Sequence, residues 1–378
     1  MAENKQNKRP NVPPLRFPEF TEPWDRNKLS CFLYENKERN KADFFSKEDV
    51  LSVSGELGIV NQIELLGRSF AGKSVKDYHI VRKGNIVYTK SPLKEFPYGI
   101  IKYNRGVDGI VSTLYAVYHV LDNADGRFIE FYFTDKGRIN RYLKPIVRIG
   151  AKHDMKIGNE EVLDNYVVMP TLVEQDKIAT FIELLDKRIA MQSKLIEQLE
   201  SLIKGIIHHL TAESPNVRIA DCLDCHSSTL QENQLKELGK CRVYGANGVC
   251  GYTDSPAING NAILIVKDGS GVGNVSFATG EYSVIGTSNY LTAKSGYNLR
   301  YIYFCLMNFN FAPYKTGMAI PHIYFKDYGK AKIYCPALEE QERIANVLSK
   351  IERKMVIERS ITNHYIEQKQ YLLQQMFI

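Results

Sequence analysis

The residues best suited to chemistry lie at positions 67–74 (GRSFAGKS), which fit the letters of a phosphate-binding P-loop. Such a loop holds phosphates with backbone N–H groups, and it connects a buried strand to a helix. The apolar run at 63–66 is short, and residues 75–83 lack a helical repeat of apolar side chains. We therefore interpret Lys73 and Lys76 as part of a basic loop suited to phosphate contacts. A nucleotide-driven enzyme is the alternative, and it predicts ATP binding.

Two further segments have residue types that hold cofactors. Residues 269–273 (GSGVG) follow an apolar strand as in a dinucleotide site, but the third glycine is misplaced and a strand-like run follows, so we predict a β-turn. Cys222, Cys225 and His226 fit half of a zinc site or a haem attachment string, yet no second cysteine pair has the required spacing. The sequence also lacks methyltransferase, nuclease and nucleophile-elbow motifs. We expect a non-catalytic chain with no metal or cofactor of its own.

Length and composition limit the remaining classes. A chain of 378 residues with 44% hydrophobic residues predicts two or more globular domains. The net charge of +6 is too small to establish a nucleic-acid partner by itself. An odd number of cysteines, seven, and the absence of an apolar signal segment favour a reduced, cytoplasmic protein. No apolar run approaches the roughly 20 residues that a membrane span needs.

An internal repeat organises the chain. Residues 170–179 (PTLVEQDKIA) recur as 336–345 (PALEEQERIA), at an offset of 166. Each proline predicts the start of a long helix, and Thr171 with Glu174 predicts a capping box in the first copy only.

An apolar seam follows each helix start in a four-three alternation, at Ile178, Ile182, Leu185 and Ile189 in the first copy and at Ile344, Leu348 and Ile351 in the second. Polar residues interrupt both seams at one register, Gln192 and Glu358. Beyond it, Ile366 aligns with Ile196 only at an offset of 170, which predicts a stutter of four extra residues in the second helix. The seams favour an antiparallel coiled coil, and the alternative is that each helix packs on its own domain.

Strand-like runs lie before each helix. Residues 83–90 resemble 259–267, and each segment predicts a turn that leads into a strand. Further strands are predicted at 114–121, 129–133, 166–169, 274–277 and 332–334. The predicted fold class is α+β, with two α/β domains separated by two long helices that form an antiparallel coiled coil and a pseudo-twofold internal repeat. The predicted parts are a flexible tail (1–23), a first domain (24–169), a central helix (170–212), a second domain (213–335) and a C-terminal helix (336–378).

The whole sequence resembles the specificity subunit of type I restriction-modification systems. The resemblance depends on residues 16–20 (RFPEF) followed by Trp24, on the two duplicated helix starts, and on one domain-sized segment before each. Residues 317–325 (GMAIPHIYF) also resemble this family, whereas residues 150–153 (GAKH) do so loosely. The second domain departs from the pattern, because it lacks a tryptophan near its start.

The resemblance implies a DNA-binding role. Each domain would be a target-recognition domain that reads half of a split double-stranded DNA target, while the helices set the spacing. Two methyltransferase subunits would dock on the helices, and restriction-translocase subunits would join the full complex. S-adenosylmethionine, ATP and Mg are expected in those partner subunits. The docking set comprises Pro170, Glu174, Gln175, Pro336, Glu340 and Gln341 together with the seven apolar seam residues named above.

Candidate DNA contacts are basic or small polar side chains near predicted turns, since at least half of protein–DNA hydrogen bonds reach phosphate. In the first domain they are Lys73, Lys76, Lys90, Lys94, Arg105, Arg148 and Lys152. In the second domain they are Lys267, Ser270, Lys315, His322 and Lys326. A coiled-coil scaffold for protein assembly that reads no DNA is the alternative of another class, and it predicts equal affinity for all DNA sequences.

Overall fold

The structure, a computed structural model, describes residues 11–93, 95–149, 155–211, 214–317 and 319–378. The chain forms two compact units, residues 1–190 with 363–378 and residues 191–362. Both boundaries fall inside the long helices, so each unit contains one end of each helix. Within the described residues, no helix is long and apolar enough to cross a membrane.

The first unit combines short strands with helices. Its elements are β1 (Asp25–Lys28), β2 (Leu33–Glu35), β3 (Leu51–Ser54), β4 (Gly58–Asn61), α1 (Gln62–Leu66), β5 (His79–Val81), β6 (Ile86–Thr89), β7 (Ile101–Tyr103), β8 (Gly109–Val111), β9 (Tyr115–Val120), α2 (Gly126–Thr134), α3 (Lys136–Leu143), β10 (Arg148–Ile149), β11 (Met155–Lys156), β12 (Tyr166–Met169) and the start of α4 (Leu172–Thr211). Strands β2, β9, β6 and β7 form an antiparallel sheet in that order, and β1 pairs with β12.

The four-stranded sheet of the first unit has a core on each face. Ile86 and Tyr88 of β6 belong to a large core with α2 and α4, whereas Val87 belongs to a smaller core with β3, β4, β5 and β8. Side chains alternate between the faces of a strand, so a continuous apolar run supplies both cores. Trp24 is 1% exposed in the large core and packs edge-on against Phe128. One face therefore joins the long helix, and the other carries the added strands.

Residues 11–24, here called the N-terminal strap, lie against the start of α4. Arg16 donates from Nε and Nη2 to the two carboxylate oxygens of Glu174, each at 2.7 Å, and Trp24 Nε1 donates to Glu174 Oε1 at 3.2 Å. The Leu15 amide also donates to the Gln375 carbonyl at 3.0 Å. Residues 11–23, expected in a flexible tail, are thus held by specific bonds. The Glu174 carboxylate binds the strap instead of closing the predicted capping box.

The second unit repeats this plan. Its elements are the end of α4, β13 (Val217–Arg218), α5 (Ile219–Cys222), β14 (Leu223–Ser227), β15 (Cys241–Gly245), β16 (Gly248–Thr253), β17 (Ile258–Asn259), β18 (Ala262–Val266), β19 (Val275–Ala278), β20 (Glu281–Val284), β21 (Ser288–Ala293), α6 (Leu299–Met307), α7 (Phe325–Tyr328), β22 (Lys332–Ile333) and α8 (Leu338–Gln375), whose last residues belong to the first unit. The central sheet has the order β14, β21, β18, β19, and β13 pairs with β22. A second sheet, β16, β15, β20, β17, covers its outer face.

The two long helices pair antiparallel inside each unit. In the first unit, Lys369 Nζ donates to Asp186 Oδ1 at 2.5 Å, and the Arg188 guanidinium lies 5.7 Å from the centre of the Tyr365 ring. In the second unit, Ile203 and Ile207 share a core with Ile344 and Leu348. The predicted fold class is confirmed.

The predicted stutter in the second helix is wrong. Thr362 is 8% exposed at the position equivalent to Ile196, whereas Ile366 is 39% exposed. Equivalent positions of the two helices stay 166 residues apart to the end of the second helix, because Leu372 and Leu373 are buried where the first helix has Ile206 and Ile207. The sequence match at Ile366 was misleading because the true seam there is polar or aromatic, with Thr362, Tyr365 and Lys369.

One predicted strand is a helix. Residues 129–133 are rich in aromatic and β-branched side chains, but they lie in α2. The Asp125 side chain accepts hydrogen bonds from the amides of Arg127 and Phe128 and so caps the helix, in which residues 128–133 are all buried. The strands predicted at 114–121, 166–169, 274–277 and 332–334 are confirmed as β9, β12, β19 and β22.

Candidate nucleic-acid interface

Two loops of the second unit are bonded into one surface. The first is the turn after β18, and the second runs from Lys315 to Phe325. The Gly269 amide donates to the Pro321 carbonyl at 2.9 Å, and the Ile323 amide donates to the Lys267 carbonyl at 2.9 Å. Gly269 and Gly273 have φ values of +93° and +90°, which confirms a glycine turn between two antiparallel strands rather than a dinucleotide loop.

This surface contains four of the five residues predicted to contact DNA in the second domain, and the fifth, Lys326, follows it in α7. Ser270, Lys315 and Lys326 are exposed, and Lys326 Nζ lies 5.1 Å from the centre of the Tyr324 ring. Lys267 is half-buried and pairs with the neighbouring Asp268. His322 is also half-buried, and its backbone bonds to Thr316 in both directions. The structure therefore brings these five residues together, with backbone that is firmly positioned.

In the first unit, Lys73 and Lys76 line a surface cleft of about 410 Å³. Lys47, which sequence reasoning did not select, lines the same cleft, and Lys76 Nζ lies 3.3 Å from Asp43 Oδ2. Residues 67–74 follow helix α1, with Gly67 as its left-handed C-cap, and no helix follows them before β5. This segment therefore lacks the strand–loop–helix context of a P-loop.

The other contacts predicted for the first domain lie on different elements. Lys90 is half-buried and bonds to Asn159, and burial lowers the pKa of its ammonium. Arg105 binds Glu130 and, at 2.9 Å, Glu183 of α4. Arg148 is exposed on β10. Lys94 and Lys152 lie outside the described residues. Of the five described members of this set, Lys73 and Lys76 are the two that line one cleft.

The duplicated glutamine has the same two partners in both copies. Gln175 Nε2 donates to the carbonyl of the proline five residues earlier at 2.9 Å, and its Oε1 accepts from the Asp125 amide at 2.9 Å. Gln341 repeats this at 2.8 Å and with the Asn298 amide at 2.9 Å. Asp125 and Asn298 are the N-caps of α2 and α6. These glutamine clamps attach each domain helix to the start of its long helix.

A second anchor in each unit was missed by sequence reasoning. Arg127, two residues after one N-cap, binds Asp125, Asp176 and Glu183. Arg300, two residues after the other, donates to Ser349 Oγ at 3.1 Å and pairs with Glu352. The signal was present in the sequence as Asp-x-Arg and Asn-x-Arg before each helix start, but only the fold shows that both belong to a capped helix.

The predicted docking set is therefore mostly internal. Its buried members are Pro170, Glu174, Gln175, Ile178, Ile182, Gln341, Ile344 and Leu348. Its half-buried members are Leu185, Ile189, Pro336, Glu340 and Ile351.

The polar residues of the two seams, Gln192 and Glu358, contact each other. Gln192 Nε2 donates to Glu358 Oε2 at 2.6 Å, and Lys354 pairs with the other carboxylate oxygen. Gln192 and Glu358 stand at equivalent positions of the two helices, and they hydrogen-bond directly to each other.

The cysteine-histidine segment runs from the last residue of α5, Cys222, into strand β14 of the second unit. Cys222 Sγ lies 3.9 Å from Cys335 Sγ, and His226 Nε2 lies 2.9 Å from Thr292 Oγ1 while its ring stacks on Tyr290. In the part of the chain that the structure describes, no three His, Cys, Asp or Glu side chains are grouped to hold a metal ion.

Comparison with known proteins agrees with this architecture. Residues 215–368 match the family described as type I restriction modification DNA specificity domain. The type I restriction enzyme EcoprrI specificity subunit of Escherichia coli is 26% identical over 109 residues, which are 29% of this chain and 27% of that protein. The putative type I restriction enzyme specificity subunit S.HindORF215P of Haemophilus influenzae is 26% identical over 120 residues, 31% of each chain. These alignments span about a quarter to a third of the curated relatives.

The fold itself matches over nearly the full length. The crystal structure of the type I restriction-modification system S subunit from M. genitalium superposes with a TM-score of 0.67 at 14% identity, covering 97% of this chain and 99% of that chain. The family match at residues 215–368 confirms the resemblance drawn from the sequence, and over the rest of the chain the likeness is one of fold.

Proposed function

We propose that this chain, a relative of the specificity subunits of type I restriction-modification systems, is a non-catalytic, sequence-specific DNA-recognition subunit. Each domain would read one half of a bipartite target. The observation that carries the proposal is the structural repeat. Each unit has a sheet of the same strand order and a capped helix, α2 or α6, that the same glutamine clamp attaches to a long helix. Two readers on a shared helical scaffold suit a target with two halves.

The outer loops supply the chemistry for contacting DNA. In the second unit, Ser270 and Lys315 are exposed on loops whose backbone is fixed by hydrogen bonds, and Lys326 is exposed on α7. Lysines at these positions can bind phosphates while polar groups reach base edges. In the first unit, Lys47, Lys73 and Lys76 line one cleft. Firmly positioned loops reduce the ordering cost of binding.

The long helices would set the spacing of the half-sites and dock two methyltransferase subunits, with restriction-translocase subunits joining the full complex. The pseudo-twofold repeat supports two docking sites. S-adenosylmethionine, ATP and Mg would be bound by those partner subunits, which would perform the methylation and cleavage chemistry.

The salt dependence of DNA binding tests the phosphate contacts. A variant with Lys73, Lys76, Lys315 and Lys326 changed to alanine, assembled with its methyltransferase, should lose up to about 3.6 from the slope of log K against log salt, since each contact contributes roughly 0.9. Lys144→Ala with Lys204→Ala is the control and should leave the slope unchanged, since Lys144 is exposed in the turn after α3 and Lys204 is exposed on α4. An unaltered slope in the quadruple variant contradicts the contact set. Equal affinity of the wild-type complex for all DNA sequences would instead support the scaffold function.

A further inference from the structure

The two long helices differ in how their first turns are covered. The side chain of Glu174 is 1% exposed beneath the N-terminal strap, whereas that of the equivalent Glu340 is 39% exposed. Arg343, equivalent to Lys177, is 74% exposed, and Val347, equivalent to Phe181, is 47% exposed. The start of α8 therefore exposes the residues that are equivalent to those with which α4 holds the strap.

The strap shows what chemistry fits such a helix start. Arg16 binds Glu174 through two parallel hydrogen bonds, and Glu19 pairs with Lys177. Phe17 packs edge-on against Phe181, with ring centroids 5.8 Å apart. Arginine, phenylalanine and glutamate within four residues of the strap thus match, in that order, an acidic, an apolar and a basic residue on the helix.

The same three chemical types recur on α8 at the same spacing. Glu340, Arg343 and Val347 lie at positions i, i+3 and i+7, which share one face of a helix. Glu340 and Arg343 currently pair with each other at 2.6 Å. An exposed pair of this kind is weakly held, so its members can exchange for other charged partners at small cost.

We propose that Glu340, Arg343 and Val347, here called the strap seat, bind a segment of a partner subunit that carries an arginine followed by an aromatic residue and then a glutamate, as residues 16–20 (RFPEF) do. This inference rests on the proposed function, because the partner is the methyltransferase of the complex. The strap of this chain is committed to α4, since Trp24 at its end is 1% exposed in the first core. The two helix starts are then unequal docking sites: the partner meets the strap at one and the open helix at the other.

A peptide of residues 12–22, labelled with a fluorophore, serves as the probe of the strap seat. It should bind the full chain saturably, and Glu340→Gln should weaken binding about tenfold or more, because a charge-assisted bidentate hydrogen bond is lost. Glu342→Gln, an exposed carboxylate two residues away, is the matched control and should leave the affinity within a factor of two of wild type. The proposal is overturned if the peptide does not bind saturably, or if it binds the two variants with equal affinity.

The partner itself provides a second measurement. Glu340→Gln with Arg343→Ala should weaken binding of the methyltransferase subunit about tenfold or more, while the DNA sequence methylated by the assembled complex stays the same. Unchanged affinity for the subunit rejects the strap seat and leaves DNA recognition intact. Loss of sequence discrimination in the wild-type complex would reject the proposed function instead.

Discussion

The starts of the two long helices share a sequence but differ in their surroundings. Gln175 and Gln341 make matching pairs of hydrogen bonds in buried positions, with distances that agree within 0.1 Å. One residue earlier the copies diverge. The Glu174 carboxylate is enclosed by Arg16 and Trp24, whereas the Glu340 carboxylate accepts hydrogen bonds from Arg343 on its own helix. The glutamine therefore belongs to the shared scaffold, whereas the glutamate has a different role in each copy.

The largest expected difference lies at that glutamate. Glu174→Ala removes the partner of a buried guanidinium and should destabilise the first unit by about 3 kcal/mol or more. Glu340→Ala removes only an exposed pair and should leave the unfolding midpoint close to wild type. The single tryptophan of the chain, Trp24, lies in the first core, so its fluorescence during urea unfolding reports this unit directly. Equal midpoint shifts in the two variants would contradict the asymmetry.

Acid should weaken the first unit through His79 in β5. Burial, helped by the nearby charge of Arg39 and Lys90, lowers the pKa of this imidazole to about 4, and among the described residues its Nδ1 has no hydrogen-bond partner. Because the folded pKa lies below the unfolded value of about 6.5, the unfolded state binds the proton first. Stability should fall by up to about 3 kcal/mol as the pH drops from 6.5 to 4. His79→Leu should remove that part of the pH dependence of the Trp24 transition, and an unchanged profile would show that other groups cause it.

The glutamine clamps should be equivalent in energy. Gln175→Leu and Gln341→Leu each remove two hydrogen bonds and leave a buried N-cap amide without a partner, at a cost of about 1–3 kcal/mol. Hydrogen exchange should show faster opening of α2 in the first variant and of α6 in the second. Opening of the same helix in both variants would contradict the assignment of one clamp to each unit.

The smallest effect is expected where the two seams meet. Gln192→Leu alone leaves the Glu358 carboxylate buried with one hydrogen bond fewer, so it should destabilise the helix pair. Replacing both residues by leucine should change stability by less than about 1 kcal/mol, because an apolar pair packs without desolvating a charge. Urea unfolding of the four proteins of a double-mutant cycle measures the coupling. If the changes in the free energy of unfolding of the two single variants add up to that of the double variant, the hydrogen bond contributes nothing to the pairing of the helices.

The sequence predicted the architecture better than it predicted the site. The duplicated helix starts and the first part of each seam indicated two long antiparallel helices, because a period of three and four residues is a strong signal. The prediction for the last part of the second seam failed at Ile366, since polar side chains such as Thr362 and Lys369 occupy the seam there through their aliphatic parts. The prediction failed for helix α2 because its aromatic and β-branched side chains are typical of a strand, whereas the Asp125 cap and the surrounding core favour a helix.

The interface could be predicted only in part. Lys267, Ser270, Lys315, His322 and Lys326 were selected from two distant segments, and hydrogen bonds between their loops join them. Arg105 was selected by the same reasoning but contacts Glu130 and Glu183, because nothing local in the sequence distinguishes a free cation from one paired across the fold. The roles of Arg16 and Gln175 likewise depend on partners 158 and 50 residues away.

Sequencing of modified bases tests the central claim most directly. The chain is expressed with its methyltransferase in a host without other methylation, alongside a variant with Lys315, His322 and Lys326 changed to alanine. Bipartite recognition predicts one methylated motif with two halves and a fixed gap, and the variant should relax or lose one half while the other half stays the same. A contiguous motif, or a variant in which both halves change together, would contradict it.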